Sequence, residues 1–237
     1  RFLNDDFNKQ GLSLTEKLLN GNANIIAEFK RKSPSKGWMN EHIHISEVIP
    51  GYEAHGAAAI SVLTDKDFFG GNIEELKIAK LEVEIPLLRK DFMIDEFQLY
   101  EAKSYGADVI LLIAACLSKE KIKALAAKAK ELKLEVLLEI HTKEEIDFIC
   151  DEVDIIGINN RNLETFVTDV SASTDLIKYI PADKPVISES GISDVDTIMN
   201  LYSIGFKGFL IGEAFMRTKK PAIAFADFMK QLKAKLK

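Results

Sequence analysis

Short apolar runs recur along this chain at intervals of roughly 20 to 30 residues, and β-branched residues are common in them. Most of the runs are apolar at nearly every position, as strands covered on both faces are. Segments with apolar residues at helical spacing lie between the runs. The pattern predicts eight strands: Ile25–Lys30, Ala58–Leu63, Pro86–Lys90, Val109–Ala114, Val136–Ile140, Asp154–Asn159, Pro185–Ser190 and Gly208–Gly212.

The segments between the runs predict helices. The clearest is Lys119–Leu132, in which alanines and leucines form one stripe and lysines the other, and Ser118 suits the N-cap position. Gly56, Gly106 and Gly205 each stand where a helix ends shortly before a strand. The other predicted helices are Glu74–Lys80, Glu96–Tyr105, Lys143–Cys150, Asp194–Ser203 and Ala222–Leu236.

Eight strand–helix units follow one another with no linker and no change of composition. This alternation predicts a single (β/α)8 TIM barrel over residues 1–237, with residues 1–22 as a short N-terminal extension. An open doubly wound sheet is the alternative that the same alternation allows. In a barrel, catalytic residues lie at the carboxyl ends of the strands, so the ends of the eight runs predict the active site.

Composition and charge narrow the function. Hydrophobic residues make up 47% and charged residues 29% of 237 positions, as in ordinary globular proteins. The net charge of −6 argues against nucleic-acid binding, which needs a basic face. No run approaches the roughly 18 apolar residues of a membrane span, so no membrane partner is expected and the cytoplasm is the expected location. No association patch is evident, which favours a monomer.

The two cysteines, Cys116 and Cys150, have no metal-ligand spacing. We therefore expect two buried free thiols in a reducing compartment. His42 and His44 lie in one long segment without a carboxylate or cysteine cluster, so no metal site is expected. His141 is expected to face solvent at the start of a loop.

Charged residues share the phase of the apolar runs at several strand ends. Glu28 and Lys30 are alternate residues of the first strand, so their side chains lie about 6.6 Å apart on one face. A buried charge is tolerated only where a partner or a charged ligand offsets its desolvation. The same phase is found, at the ends of four later strands, for Lys90, Glu139, Asn159, Arg161 and Glu189.

These residues predict a catalytic mouth in which cations and carboxylates balance. A lysine at position 90, near a carboxylate and apolar walls, can protonate a carbonyl oxygen or form a Schiff base. Carboxylates against apolar neighbours have raised pKa values and can act as acids. The cations are Lys30, Lys90 and Arg161, and the carboxylates are Glu28, Glu139 and Glu189.

Two glycine turns indicate the class of substrate. Ser190-Gly191 follows the seventh strand and Gly212-Glu213 the eighth, and each is predicted to open a helix. Backbone N–H groups at such helix starts bind phosphate, and in barrels the phosphate site is formed by these two loops. The turns predict a phosphorylated substrate. A long basic loop after the first strand, with a glycine and an exposed tryptophan, is expected to act as a lid over this anion.

Five motifs in this chain resemble indole-3-glycerol-phosphate synthase: IIAEFKRKSPSKG at 25–37, LLRKDF at 87–92, LLEIH at 137–141, GINNRNL at 157–163 and SESGI at 188–192. The resemblance covers nearly the whole chain from Leu12 onward and implies the same barrel. It also implies conversion of the sugar phosphate 1-(2-carboxyphenylamino)-1-deoxyribulose 5-phosphate to indole-3-glycerol phosphate, with release of CO2 and water, in tryptophan biosynthesis. No metal or organic cofactor takes part in that family.

The resemblance also implies a role for each matched residue. Lys90 corresponds to the general acid that protonates the ketone oxygen, while Glu139 and Lys30 correspond to residues that assist the later dehydration. Glu28 would hold or share protons, and Asn159 and Glu189 would orient hydroxyls and intermediates. The implied substrate- and phosphate-binding residues are Ser33, Arg161, Ser190, Gly191, Gly212 and Glu213, with Phe69, Phe92, Leu111 and Leu163 around the anthranilate ring.

The chain departs from the family pattern in two places. The segment before the first strand is shorter than the family's N-terminal extension, which folds over the barrel mouth, so residues 1–20 are expected to supply only part of that cover. Asn160 stands where the family often has serine. Because Asn160 is out of phase with Asn159 and Arg161, it is expected to matter little.

Three alternatives to this function stay open. A phosphoribosylanthranilate isomerase uses a cysteine and an aspartate, and that chemistry does not map onto Cys116, which follows the fourth strand. A lysine Schiff-base aldolase is the second alternative. The third is a barrel that binds a sugar phosphate without catalysis.

Overall fold

The computed structural model describes residue 7, residues 9–162, residue 165 and residues 167–237. Eight parallel strands pair in chain order, and the last pairs with the first, so the sheet closes into a barrel. The (β/α)8 barrel is therefore confirmed, and the open doubly wound sheet is excluded. The strands are β1 (Asn24–Phe29), β2 (Ala59–Leu63), β3 (Leu87–Lys90), β4 (Val109–Ile113), β5 (Glu135–Ile140), β6 (Ile155–Asn159), β7 (Val186–Glu189) and β8 (Gly208–Ile211).

Side-chain caps set the start of most of the longer helices between the strands. Ser118, for example, accepts a hydrogen bond from the Lys121 N–H, as its position in the sequence predicts. Gly106 and two further glycines end helices with positive φ. The helices are α1 (Leu14–Asn20), α2 (Ile49–Ala54), α3 (Ile73–Glu82), α4 (Glu96–Ser104), α5 (Lys119–Glu131), α6 (Ser171–Leu176), α7 (Val195–Ser203), α8 (Glu213–Met216) and α9 (Pro221–Lys235).

One predicted helix is wrong in type. Lys143–Cys150 forms only a short 3-10 helix over Glu144–Phe148. The Glu145 carboxylate accepts hydrogen bonds from the backbone N–H groups of His141 and Thr142, which tightens the turn at its start. So short a segment gains too few hydrogen bonds to offset the cost of nucleating an α-helix.

In each strand, alternate residues face the barrel axis and the residues between them face the helices. Both faces of the strand are therefore covered, which explains why the runs are apolar at nearly every position. In β1, Ile26 packs in the interior cluster, whereas Ile25 and Ala27 pack in the outer core between strands and helices. At the mouth, the residues that face the barrel axis change from apolar to charged. Two residues beyond Ile26 comes Glu28, and two residues beyond Leu88 comes Lys90.

The described part of the N-terminal extension closes the opposite end of the barrel from the mouth. Leu14 and Leu18 of α1 are fully buried in the interior cluster. The Glu135 carboxylate, at the start of β5, accepts hydrogen bonds from the backbone of Leu14 and Thr15. Residues 12–20 therefore supply none of the cover over the mouth, because these contacts fix them under the amino ends of the strands.

The cysteines also differ from expectation. Cys116 is exposed and Cys150 is only partly buried, so the prediction of two buried thiols is wrong. Cys116 ends a 3-10 turn directly after β4 and lines the cavity at the carboxyl ends of the strands, where it is in contact with solvent. Among the helices in the described ranges, none is long and apolar enough to cross a membrane.

Candidate active site

A cavity of about 570 Å³ opens at the carboxyl ends of the strands. Fifteen of the sixteen predicted site residues line it, and the sixteenth, Leu163, lies outside the described residues. The fifteen are Glu28, Lys30, Ser33, Phe69, Lys90, Phe92, Leu111, Glu139, Asn159, Arg161, Glu189, Ser190, Gly191, Gly212 and Glu213.

Lys90 lies at the centre of the charged groups. Its Nζ is 2.7 Å from Glu189 Oε2 and 3.0 Å from Glu139 Oε2, and its side chain is 15% exposed. Burial lowers the pKa of Lys90, but the charges of Glu139 and Glu189 outweigh burial and hold the pKa above its ordinary value. Lys90 is therefore an ammonium group at neutral pH. This disfavours a Schiff-base aldolase, whose lysine must lose its proton to attack a carbonyl.

Glu189 is the carboxyl group nearest to Lys90, and it is almost fully buried. Burial, together with repulsion from Glu139 and Glu28, raises the pKa of Glu189 to about 7, although Lys90 acts in the opposite direction. On the neighbouring strand, a Cβ at Gly157 would overlap Glu189 Oε1, so only glycine leaves room for this carboxyl group. Glu189 can therefore gain or lose a proton near neutral pH.

Glu139 has the opposite protonation preference. Its Oε1 accepts a hydrogen bond of 3.0 Å from Asn159 Nδ2, and its Oε2 faces Lys90. Burial alone would raise the pKa of Glu139, but Lys90, His141 and Asn159 together hold it below its ordinary value. Two neighbouring carboxyl groups thus prefer opposite protonation states, an arrangement suited to acid and base catalysis in one site.

His141 does not face solvent, so that expectation is wrong. Its side chain is only 10% exposed, with Nε2 3.4 Å from Glu139 Oε1 and Nδ1 3.7 Å from Glu145 Oε2. Burial lowers the pKa of His141, but the two carboxylates outweigh burial and raise it. The shared phase of His141 and Glu139 at the end of β5 was the signal in the sequence, because alternate residues face the same side.

Glu28 and Lys30 form a second charged pair at the end of β1. Lys30 Nζ lies 2.6 Å from Glu28 Oε1, and Glu28 is almost fully buried. A Cβ at Gly212 would lie only 2.7 Å from the same Glu28 oxygen. The glycine after β8 therefore allows the backbone of that loop to approach Glu28 closely.

The loops after β7 and β8 form one side of the mouth. Ser190 and Gly191 both have positive φ, of 67° and 74°. The prediction that both turns open helices is only half right: Gly212 directly precedes α8, but α7 begins after Asp194, whose side chain caps it. The turn at residues 190–191 is therefore not part of a helix start, and contacts with other parts of the chain hold its backbone in place.

Arg161 spans this side of the mouth. Its Nη1 donates a 2.7 Å hydrogen bond to the Ser35 hydroxyl, and its Nη2 lies 3.6 Å from a Glu213 carboxylate oxygen. Its buried Nε has no hydrogen-bond partner within the described ranges. A buried donor without a partner is costly, so this N–H is available to an anionic ligand.

Aromatic side chains form the other side of the mouth. Phe92 lies between Phe69 and Phe68, with ring centroids 6.3 Å and 5.9 Å away. Phe68 was missed from the sequence, although it directly precedes Phe69. The other lining residues that sequence reasoning missed include Ser35, Cys116, Thr168 and Arg217.

The long loop after β1 contains a small hairpin and is held in place by contacts of Arg31, the residue before it. Lys32–Ser33 pairs with Gly37–Trp38, and Trp38 is exposed as predicted. Arg31 donates to the Gly70 carbonyl oxygen at 2.8 Å and pairs with Glu75 at 2.7 Å. The loop is thus joined to the loop after β2, and its action as a lid stays a prediction.

No group of three or more histidine, cysteine or acidic side chains is arranged to hold a metal ion in the part of the chain that the structure describes. The expectation that the reaction needs no metal or cofactor stays a prediction. Glu28, Glu139 and Glu189 are instead paired with the lysines of the cavity, Lys30 and Lys90.

The pKa of Glu189 predicts a pH dependence of stability. The pKa of Glu189 is about 7 in the folded protein, above the ordinary value of 4.5. As the pH rises from about 4.5 to about 7, the unfolded chain loses this proton more readily than the folded protein does. The free energy of unfolding therefore falls over this pH range. Glu189→Gln resembles the protonated acid and avoids this loss. The gain in Tm over the unchanged protein is expected to be larger at pH 8 than at pH 5 in thermal unfolding followed by circular dichroism. The exposed Glu82→Gln is the control, and a gain that does not grow with pH would contradict the raised pKa.

Comparisons with known proteins identify the family. The family model described as indole-3-glycerol phosphate synthase matches residues 3–228. A protein of that name from Bacteroides thetaiotaomicron is 51% identical over 220 residues, covering 93% of this chain and 85% of the relative. Another, from Chromobacterium violaceum, is 44% identical over 207 residues, covering 87% of this chain and 78% of the relative.

Solved structures agree on the fold. KGPDC from Streptococcus mutans superimposes with a TM-score of 0.67 at 16% identity, covering 90% of this chain and 99% of that one. The 3-hexulose-6-phosphate synthase from Salmonella typhimurium gives a TM-score of 0.65 at 14% identity, covering 89% and 99%. At such identities the likeness supports the barrel alone, whereas the family match spans nearly the whole sequence. The chain belongs to the indole-3-glycerol phosphate synthase family.

Proposed function

We propose that the cavity at the barrel mouth performs the reaction of this family, with Lys90 as its general acid. The family catalyses ring closure of 1-(2-carboxyphenylamino)-1-deoxyribulose 5-phosphate to indole-3-glycerol phosphate, a decarboxylating lyase step in tryptophan biosynthesis. The observation that carries the assignment of roles is the position of Lys90 between Glu139 and Glu189.

Ring closure requires a proton at the ketone oxygen as the aromatic carbon attacks the carbonyl carbon. Lys90 carries that proton at neutral pH, because the neighbouring carboxylates raise its pKa. Its surroundings, Leu111 and Phe92, supply an apolar wall against which the anthranilate ring can lie. Holding ring and ketone in contact and delivering the proton from a positioned acid both lower the barrier to ring closure.

The later loss of water requires a base and an acid. Glu139 is suited to be the base because its lowered pKa keeps it ionised, and Asn159 fixes one of its oxygens. Lys30, paired with Glu28, is suited to assist departure of the hydroxyl group by donating a proton. Glu189 and Asn159 would orient hydroxyls of the substrate and of the intermediates.

The phosphate of the substrate would lie between the loops after β7 and β8. Arg161 offers its charge and its buried Nε, and the turns at Ser190-Gly191 and Gly212-Glu213 offer backbone N–H groups. Ser33, on the hairpin loop, lines the same cavity. Binding energy from the phosphate, which does not react, can hold the reacting carbon in place.

Broader properties of the protein follow the same proposal. Residues 1–237 would act as one catalytic domain, with residues 1–22 as an extension, and no metal or cofactor would be needed. A monomer in the cytoplasm suits an enzyme whose residues for this chemistry all come from one chain. Nucleic acid is not an expected partner, since the net charge is −6.

The decisive experiment is a fluorescence assay for the indole product from the carboxyphenylamino-deoxyribulose phosphate. One CO2 should be released for each indole formed. Sodium borohydride added during turnover tests the aldolase alternative, since trapping of a lysine adduct would support it. Substrate binding without product would instead support the non-catalytic barrel.

Arg161→Gln tests the phosphate site. The variant is expected to raise KM roughly tenfold to a hundredfold, because it removes a charge-assisted hydrogen bond to the phosphate. The value of kcat should change much less, since the phosphate does not react. Lys219→Gln removes an exposed cation that does not line the cavity and is the control. An unaltered KM in Arg161→Gln, measured by the same fluorescence assay, would place the phosphate elsewhere.

A further inference from the structure

Asn160 is buried directly behind the cavity wall. It follows Asn159 at the end of β6, and only 3% of it is exposed. Because alternate residues face opposite sides, Asn159 faces the cavity and Asn160 faces the layer between the strands and α6. In this layer the Asn160 side chain reaches the start of the loop after β7, a contact that the expectation of little importance did not consider.

The Asn160 side chain is the centre of a closed hydrogen-bond network. Its Nδ2 donates to Ser188 Oγ at 2.9 Å and to the Ser190 carbonyl oxygen at 3.0 Å. Its Oδ1 accepts from Ser173 Oγ at 2.7 Å and from the Ser173 backbone N–H at 3.3 Å. A backbone carbonyl only accepts and a backbone N–H only donates, so these partners fix which end of the amide is nitrogen.

This network determines the direction of one peptide bond. The Ser190–Gly191 peptide is trans, so its carbonyl oxygen and its N–H point to opposite sides. The Ser190 carbonyl points outward to Asn160, so the Gly191 N–H points inward, toward the cavity that both residues line. Ser190 has a φ of +67°, which an L-residue rarely adopts without support, and the bond to Asn160 supplies such support.

We propose that Asn160 is a positioning residue for substrate phosphate. By holding the Ser190 carbonyl, it presents the Gly191 N–H to the cavity as a hydrogen-bond donor for the phosphate group. A serine at position 160 could make only part of this network, because one hydroxyl donates a single hydrogen bond, whereas Asn160 donates two and accepts two. This inference rests on the proposed function, since it requires the phosphate to lie at the loop after β7.

Asn160→Ala tests the proposal with two ligands that differ only in the phosphate: indole-3-glycerol phosphate and indole-3-glycerol. Loss of the bond frees the peptide to rotate, so the Kd of the phosphorylated ligand should rise roughly tenfold to a hundredfold. The Kd of indole-3-glycerol should stay unchanged, and kcat should fall far less than KM rises. Ligand fluorescence titration and the product assay give these values. A merely structural role would weaken both ligands together.

Two further variants make the test independent of the folding of Asn160→Ala. Asn160→Asp keeps the shape but replaces the donor with an oxygen that repels the Ser190 carbonyl, so it should show the same selective loss. Ser173→Ala removes a partner of Oδ1 and leaves the donor to Ser190 in place, so it should keep the phosphate preference. If the two Asn160 variants bind both ligands as the unchanged protein does, or lose both equally, the inference is wrong.

The same titrations separate this inference from the proposed function. If the unchanged protein binds the two ligands equally well, the cavity does not recognise phosphate and the proposed function fails in that respect. If it prefers the phosphorylated ligand and Arg161→Gln narrows the preference, while the Asn160 variants do not, only the role of Asn160 is rejected.

Discussion

Lys90→Met is expected to lower kcat about a hundredfold to ten-thousandfold, the usual contribution of a positioned general acid. The methionine side chain fills similar space but carries no proton to the ketone oxygen, so ring closure loses its acid. Substrate should still bind, because the groups proposed for phosphate and anthranilate remain. Both CO2 release and indole formation should slow together, since each follows ring closure. Single-turnover measurements of the two products check this.

Lys103→Met is the matched control for that substitution. Lys103 is also largely buried, but it lies on α4, where its Nζ donates to the Lys9 carbonyl oxygen, outside the cavity. Its replacement should leave kcat unchanged. A Lys90→Met protein that folds and turns over at the unaltered rate would reject Lys90 as the acid.

Glu139→Gln is expected to lower kcat by a comparable factor, about a hundredfold to ten-thousandfold, but at a later step. Glutamine keeps the shape of the side chain and removes the charge and the basic oxygen. Ring closure and loss of CO2 should still occur, because Lys90 remains, whereas loss of water lacks its base. In a single turnover, CO2 should therefore appear before indole fluorescence.

The control for Glu139→Gln is the exposed Glu131→Gln, which should leave both products in step. If CO2 and indole also appear together in Glu139→Gln, Glu139 acts in or before ring closure, and its assignment to dehydration is wrong. The order in which CO2 and indole appear thus distinguishes a role in ring closure from a role in dehydration, even if Lys90→Met and Glu139→Gln are equally slow overall.

The alternation of side chains was enough to predict the barrel and most of the cavity wall. Glu139 follows Leu137 by two residues, and Lys90 follows Leu88 in the same way, so a period of two placed both charges inside the barrel. What the period could not give is which charges meet. The contacts of Lys90 with Glu139 and Glu189 join residues 49 and 99 positions apart, and they depend on closure of the whole barrel.

The features that local pattern could not predict share a physical cause. Asn160 was correctly placed outside the wall, but the role proposed for it depends on Ser190, which reaches it only through pairing of β6 with β7. Gly157 carries no signal in the sequence, because the group that requires a glycine there is the Glu189 carboxyl on the neighbouring strand. The site of α1 depends likewise on Glu135, far along the chain. Local pattern carries no information about such distant partners.

The position of α1 has a consequence for how this enzyme can change. Leu14 and Leu18 form a floor to the barrel, while the reacting groups occupy its open end. Substitutions that improve the fit of the floor add resistance to heat without touching the chemistry, because the full length of the strands separates the two ends. Substitutions at the closed end of the barrel can therefore raise or lower the thermal stability of the protein while the reacting groups stay unchanged.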